Sequence, residues 1–129
     1  MIRALSLAGT LLVLAGCNQA QAPVDTCRTP DLTAKAAAGT FAGEKEAAML
    51  CVKRAAFGMT KAGQPLPGIA ETAITQCKSV EAAMGKSDPL EDWQRKALHE
   101  TLTQVAERTA VQARSMGCGL RPGEAKDTI

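Results

Sequence analysis

Two cysteines stand at equal distances from a turn, and that symmetry restricts what the chain can become. The segment Ala62-Gly63-Gln64-Pro65-Leu66-Pro67-Gly68 concentrates residues that end helices and form turns. Cys51 lies 13 positions before Gln64, and Cys77 lies 13 after it. From Gly43 to about Lys61, Ala48, Cys51, Val52, Ala55 and Met59 recur at helical spacing on one face. From about Pro67 to Lys86, Ala70, Ala73, Ile74, Cys77, Val80 and Met84 do the same. The two stretches read as an antiparallel helical hairpin with its cysteines level. A disulfide needs Cα atoms about 5.5 to 6 Å apart, and the alanines flanking both cysteines permit that approach.

Alanine also decides the fold class. It supplies 24 of the 129 residues, against two phenylalanines, one tryptophan and no tyrosine. Alanine buries little area and is the best helix former, whereas β-rich folds draw on β-branched and aromatic residues. A third helix is expected from Asp88 as N-cap, with Pro89 at the first position, through Met116, with Gly117 capping its end. Leu90, Trp93, Ala97, Leu98, Thr101, Leu102, Val105, Thr109, Ala113 and Met116 keep its period. Glu91 with Arg95 and Asp92 with Lys96 are expected as i,i+4 pairs on its solvated face. Thr29-Pro30 predicts a short N-terminal helix ending near Gly39. The expected fold is all-α, a bundle of three long helices plus this short one.

Met1-Ile2-Arg3 is a positive start, and Ala4 to Leu14 is an uncharged apolar stretch of 11 residues, too short to span a bilayer. It ends in Leu14-Ala15-Gly16-Cys17, which resembles the lipobox of bacterial lipoproteins. The resemblance implies cleavage between Gly16 and Cys17, lipidation of the Cys17 sulfur and palmitate-like acylation of the new amine. Two or three acyl chains hold a protein firmly where one does not. Asn18 is not the aspartate that retains such proteins at the inner membrane, so the resemblance implies the outer membrane, facing the periplasm. The expected organisation is a signal peptide over 1–16, a lipidated cysteine and tether over 17–28, a helical domain over 29–119 and a loose tail over 120–129.

With Cys17 assigned to lipid, Cys27, Cys51, Cys77 and Cys118 remain, an even number in a chain read as exported. Four cysteines allow three connectivities; the hairpin favours Cys51 with Cys77, leaving Cys27 with Cys118 to tie the termini. In the chain-entropy model the two closed loops contribute about 3.5 and about 4.5 kcal/mol. The gaps all exceed 20 residues, unlike the short C-x₂₋₄-C spacings of zinc sites, and no C-x-x-C exists for thiol exchange. Cys51-x-x-Arg54-Ala55-Ala56 followed by Ala73-x-x-x-Cys77 resembles small exported helical proteins of unassigned activity, over less than a third of the chain; it implies a fold and no function.

Catalytic patterns are sparse. His99-Glu100 opens like an H-E-x-x-H zinc motif, but position 103 is threonine and the chain has no second histidine. Glu100 and Glu107 stand two turns apart, as on any acidic helix. There is no G-x-S-x-G, P-loop or G-x-G-x-x-G. No catalysis, cofactor or metal is expected. The net charge of +2 carries no strong basic excess, which argues against nucleic acid. Trp93 falls in register with Leu90 and Ala97 and is expected in the core; left outside it would be the best partner anchor, with Lys53 and Arg54 as further contacts. Lys53, Arg54 and Lys61 otherwise form a solvated basic edge. The sequence thus points to a lipid-anchored, periplasm-facing accessory protein that meets an envelope protein. The alternative is a small apolar-ligand carrier, against which the alanine-rich composition counts because it offers little cavity wall.

Overall fold

The computed structural model describes residues 26–120. The signal peptide, Gly16, Cys17, the tether up to residue 25 and the tail beyond residue 120 lie outside the described residues. The elements are α1 (Phe41–Lys61), α2 (Ile69–Gln76), α3 (Lys78–Ala82) and α4 (Asp92–Ser115). Among the described residues there is no strand.

Helix α1 begins where Thr40 accepts a hydrogen bond from the Gly43 N–H at 3.0 Å, with Glu44 in the first turn complementing the helix dipole. It ends in a Schellman motif: Gly63 has φ +84°, its N–H donates to the Thr60 carbonyl, and Gln64 N–H donates to the Met59 carbonyl. Helix α4 ends the same way, with Gly117 at φ +92° donating to Arg114 and Cys118 donating to Ala113. The two helices run parallel, because these C-terminal ends meet while Glu44 of α1 reaches the turn that precedes α4. The α2–α3 limb returns antiparallel between them in sequence. Its packing against α1 and α4 completes an up-down-up bundle.

The core is narrow. Ala48, Val52 and Ala56 of α1 and Ala106 of α4 are wholly buried, with Leu102 and Ala110 nearly so. Ile69, Ala73, Cys77 and Met84 close the third side. Small side chains let the long helices approach, so the few large apolar residues suffice to fill the space between them.

Two disulfides join these elements as the hairpin geometry favours: Cys51–Cys77 with Cα atoms 5.9 Å apart, and Cys27–Cys118 at 4.8 Å. The second lies in a small separate cluster with Phe57, Ala113 and Met116. There the Thr26 hydroxyl donates to the Met116 carbonyl.

Three expectations fail, each for a local reason. The hairpin's second helix is broken into α2 and α3 at Cys77. That residue is fixed to α1 by its disulfide, and Thr75 and Ser79 on either side of it are weak or competing helix formers. The short helix over 29–39 is absent: Glu46 accepts the Lys35 N–H at 2.5 Å and the Ala36 N–H at 3.1 Å, donors that a helix would use internally. The last helix starts at Asp92, not after Asp88, because Glu91 and Gln94 form a reciprocal capping box. Two long helices, not three, therefore carry the bundle.

The C-terminal ends of α1 and α4 are locked together. Arg114 is only 8% exposed, and its guanidinium donates to the Gln64 carbonyl at 2.6 Å and the Gly119 carbonyl at 3.4 Å. It forms no ion pair among the described residues. Two helix ends of negative dipole character and their cap carbonyls supply the compensation that a carboxylate would otherwise give. Gly119, at φ +71°, sits so close that a Cβ there would lie 1.9 Å from the Thr60 carbonyl oxygen. Gly119→Ala should therefore lower stability by about 3 kcal/mol, from overpacking plus backbone strain. Urea unfolding checks this, and a midpoint unchanged from the parent contradicts the lock.

Candidate functional site

A cleft opens between the α2–α3 limb and the N-terminal half of α4. It encloses about 350 Å³, with Ile74, Met84 and Leu90 as its apolar lining and Lys78, Glu81, Arg95 and His99 among its polar residues. The composition argues against a roomy cavity, yet residues on both sides of the break at Cys77 line one: Ile74 and Thr75 before it, Lys78, Glu81 and Ala82 after it.

The turn that walls the cleft is held from below by α1. Glu44 accepts the Gly85 and Ser87 N–H groups, each at 3.0 Å. Desolvation pulls the Glu44 carboxyl up, but these donors, with the Ser87 side chain and the Lys86 charge, outweigh it and hold it below the usual carboxylate range. Met84 and Leu90 flank the captured turn, so Glu44 positions two of the cleft's apolar walls. Nothing in the sequence marks Glu44, since its partners are backbone groups 41 and 43 residues away.

His99 stands at the rim, and its Nδ1 pairs with Glu81 Oε1 at 2.7 Å, tying α4 to α3. Adjacent Glu100 points elsewhere, since successive helical residues diverge by about 100°. Thr75, a hydroxyl in the lining, is committed to the Glu71 carbonyl at 3.0 Å. Among the described residues no group of three histidine, cysteine, aspartate or glutamate side chains is placed to hold a metal ion. Glu100 and Glu107 are both exposed on α4, and among the described residues neither side chain has a hydrogen-bond or ion-pair partner.

Trp93 is not in the core. It is 66% exposed, and its indole N–H donates to Glu91. Nine residues separate it from buried Leu102, about two and a half turns, so the two face opposite ways. Ala97, with which it shares a face, is exposed as well. Glu91 is therefore engaged by the capping box and the indole, not by Arg95, and Asp92 forms no ion pair with Lys96; among the described residues Lys35 pairs with Asp31, and His99 is hydrogen-bonded to Glu81.

The other proposed contacts do not gather around Trp93. Lys53 lines a shallow hollow between α1 and the N-terminal arm, together with Asp31, Lys35 and Glu46. Arg54 and Lys61 are exposed. Given the parallel register of α1 and α4, Lys53 and Trp93 are separated by on the order of 20 Å along the bundle.

No family model, curated protein or solved structure matches the chain. The bundle has two poles. At one, Cys27–Cys118, Arg114 and Gly119 gather the first and last described residues. At the other, about 35 Å along α4, lie the captured turn, the cleft and Trp93. Among the described residues no helix is long and apolar enough to cross a membrane.

The Glu44 contact makes a pH prediction. A carboxylate whose folded-state pKa is lowered contributes stability above its ordinary titration range and loses it as pH falls through the folded value. Glu44→Gln should remove part of the acid sensitivity between about pH 5 and about pH 3. Urea midpoints measured across that range check this; a parent-like acid loss in the variant contradicts it.

Proposed function

We propose that the chain is a lipid-anchored accessory protein of the bacterial cell envelope, carried on Cys17 at the outer membrane and facing the periplasm. It performs no catalysis. It engages an envelope protein through the pole that carries Trp93.

The observation that supports this reading is the polarity of the bundle. The Cys27–Cys118 disulfide binds the start of the described chain to the C-terminal ends of α1 and α4. Nine residues from Cys17 to Thr26 reach at most about 32 Å, so an anchor on Cys17 keeps that pole near the membrane. The opposite pole then faces outward and presents a large aromatic side chain, Trp93, whose ring lies outside the core and whose N–H meets Glu91. Tryptophan is enriched at interface hot spots because one side chain supplies much contact area. Two disulfides also suit a chain that matures in an oxidising compartment.

The test replaces Trp93 with a photo-cross-linking aromatic residue in native envelopes, with the same replacement at Gln64 on the other pole. One dominant protein adduct from position 93, weaker from position 64, is the expected result. Scattered or equal adducts from both positions contradict the partner reading. The anchor is checked in the same cells: Cys17→Ala should leave an uncut precursor without fatty-acid label, and continued labelling contradicts lipidation.

A further inference from the structure

We infer that the cleft between the α2–α3 limb and α4 is a binding site for a small anionic amphiphile, with one carboxylate head and a single short alkyl chain. This stands on described residues alone and is independent of the anchor and of any protein partner.

The size of the cleft sets the size of the ligand. About 350 Å³ is at the small end for organic ligands. At the roughly 30 Å³ that each water occupies in the liquid, it holds about a dozen non-hydrogen atoms. The lining sets the ligand's body. Ile74, Met84 and Leu90 are flexible apolar side chains, Met84 is 2% exposed, and the one ring in the lining is the His99 imidazole, tied to Glu81 at the rim. A methionine thioether adapts to a flexible chain, and the absence of a flat stacking wall gives no preference for a planar ring.

Charge sets the head group. Lys78 and Arg95 stand at the rim, and neither side chain forms an ion pair or hydrogen bond among the described residues. The Arg95 guanidinium lies against the Gly85 turn, next to Leu90, so its fork is held at the edge of the apolar lining. The one carboxylate of the lining, Glu81, is already engaged by His99 at 2.7 Å. The rim thus offers two uncommitted cations above an aliphatic floor. A carboxylate can be taken by the arginine fork while its chain leaves water for the cleft. A cationic amphiphile of equal length would meet the same floor but a repulsive rim.

The experiment uses decanoate, which has a dozen non-hydrogen atoms, carrying an alkyl diazirine. Whole cells producing the full chain are irradiated with it, and adducts on the chain are mapped by peptide mass spectrometry. Adducts should concentrate on Ile74, Met84 and Leu90 and be displaced by unlabelled decanoate. They should fall about tenfold when Lys78→Ala and Arg95→Ala are combined, and by a similar factor in Ala82→Phe, which fills the cleft from an exposed position. A diazirine probe of the same length with a trimethylammonium head should label these residues about tenfold less. Circular dichroism establishes that the variants keep their helices. Adducts scattered over the surface, equal labelling by the cationic probe, or labelling unchanged in either variant overturns the assignment.

Discussion

The close approach of α1 and α4 is the constraint on which everything else in this fold depends. Ala48, Val52 and Ala56 meet Leu102, Ala106 and Ala110 with almost no solvent access, and only small side chains allow that. Close approach brings the two C-terminal ends together, and that junction has no room to spare: Gly119 rests on the Thr60 carbonyl and Arg114 bridges the caps. An alanine-poor version of the same helices would separate them and lose both contacts. Since alanine burial contributes little area, the two disulfides supply constraint that a larger core would otherwise provide.

From that junction follows the asymmetry of the molecule. One pole gathers the first and last described residues, two helix caps and a disulfide. The other is assembled from a short helix, a captured turn and the first turn of α4. Met84 and Leu90 reach the core from it, and its polar ties are few: Glu44 to the turn, His99 to Glu81, Glu91 to Gln94. Regions held by few buried contacts are where binding surfaces are commonly found, because they open at low cost. The cleft and the exposed indole both lie there.

Much of the frame was legible because it depends on local spacing. The equal distances of Cys51 and Cys77 from Gln64 led to their pairing, and Gly117 read correctly as the end of α4. What was not legible depends on groups far apart in sequence. Asp88-Pro89 is a good helix start in isolation, but Glu44 and the Glu91–Gln94 box move the start to Asp92. Trp93 keeps register with Leu90 and Ala97, but it lies half a turn from buried Leu102 and faces solvent. His99 has Glu100 beside it in sequence, yet its partner is Glu81, 18 residues earlier on another helix. The one local clue to Arg114 is a basic residue in the last turn before a capping glycine.

In the proposed orientation the bundle has a membrane-side pole and an outward pole. The most direct test of this orientation is amide NMR of the full lipidated chain in nanodiscs containing a lipid with a paramagnetic head group. The account predicts strong broadening at the C-terminal ends of α1 and α4, from Lys61 to Gln64 and from Met116 to Leu120, with sharp signals from Gly85 to Arg95. Broadening concentrated at the α3–α4 turn, or spread evenly over both poles, would contradict it.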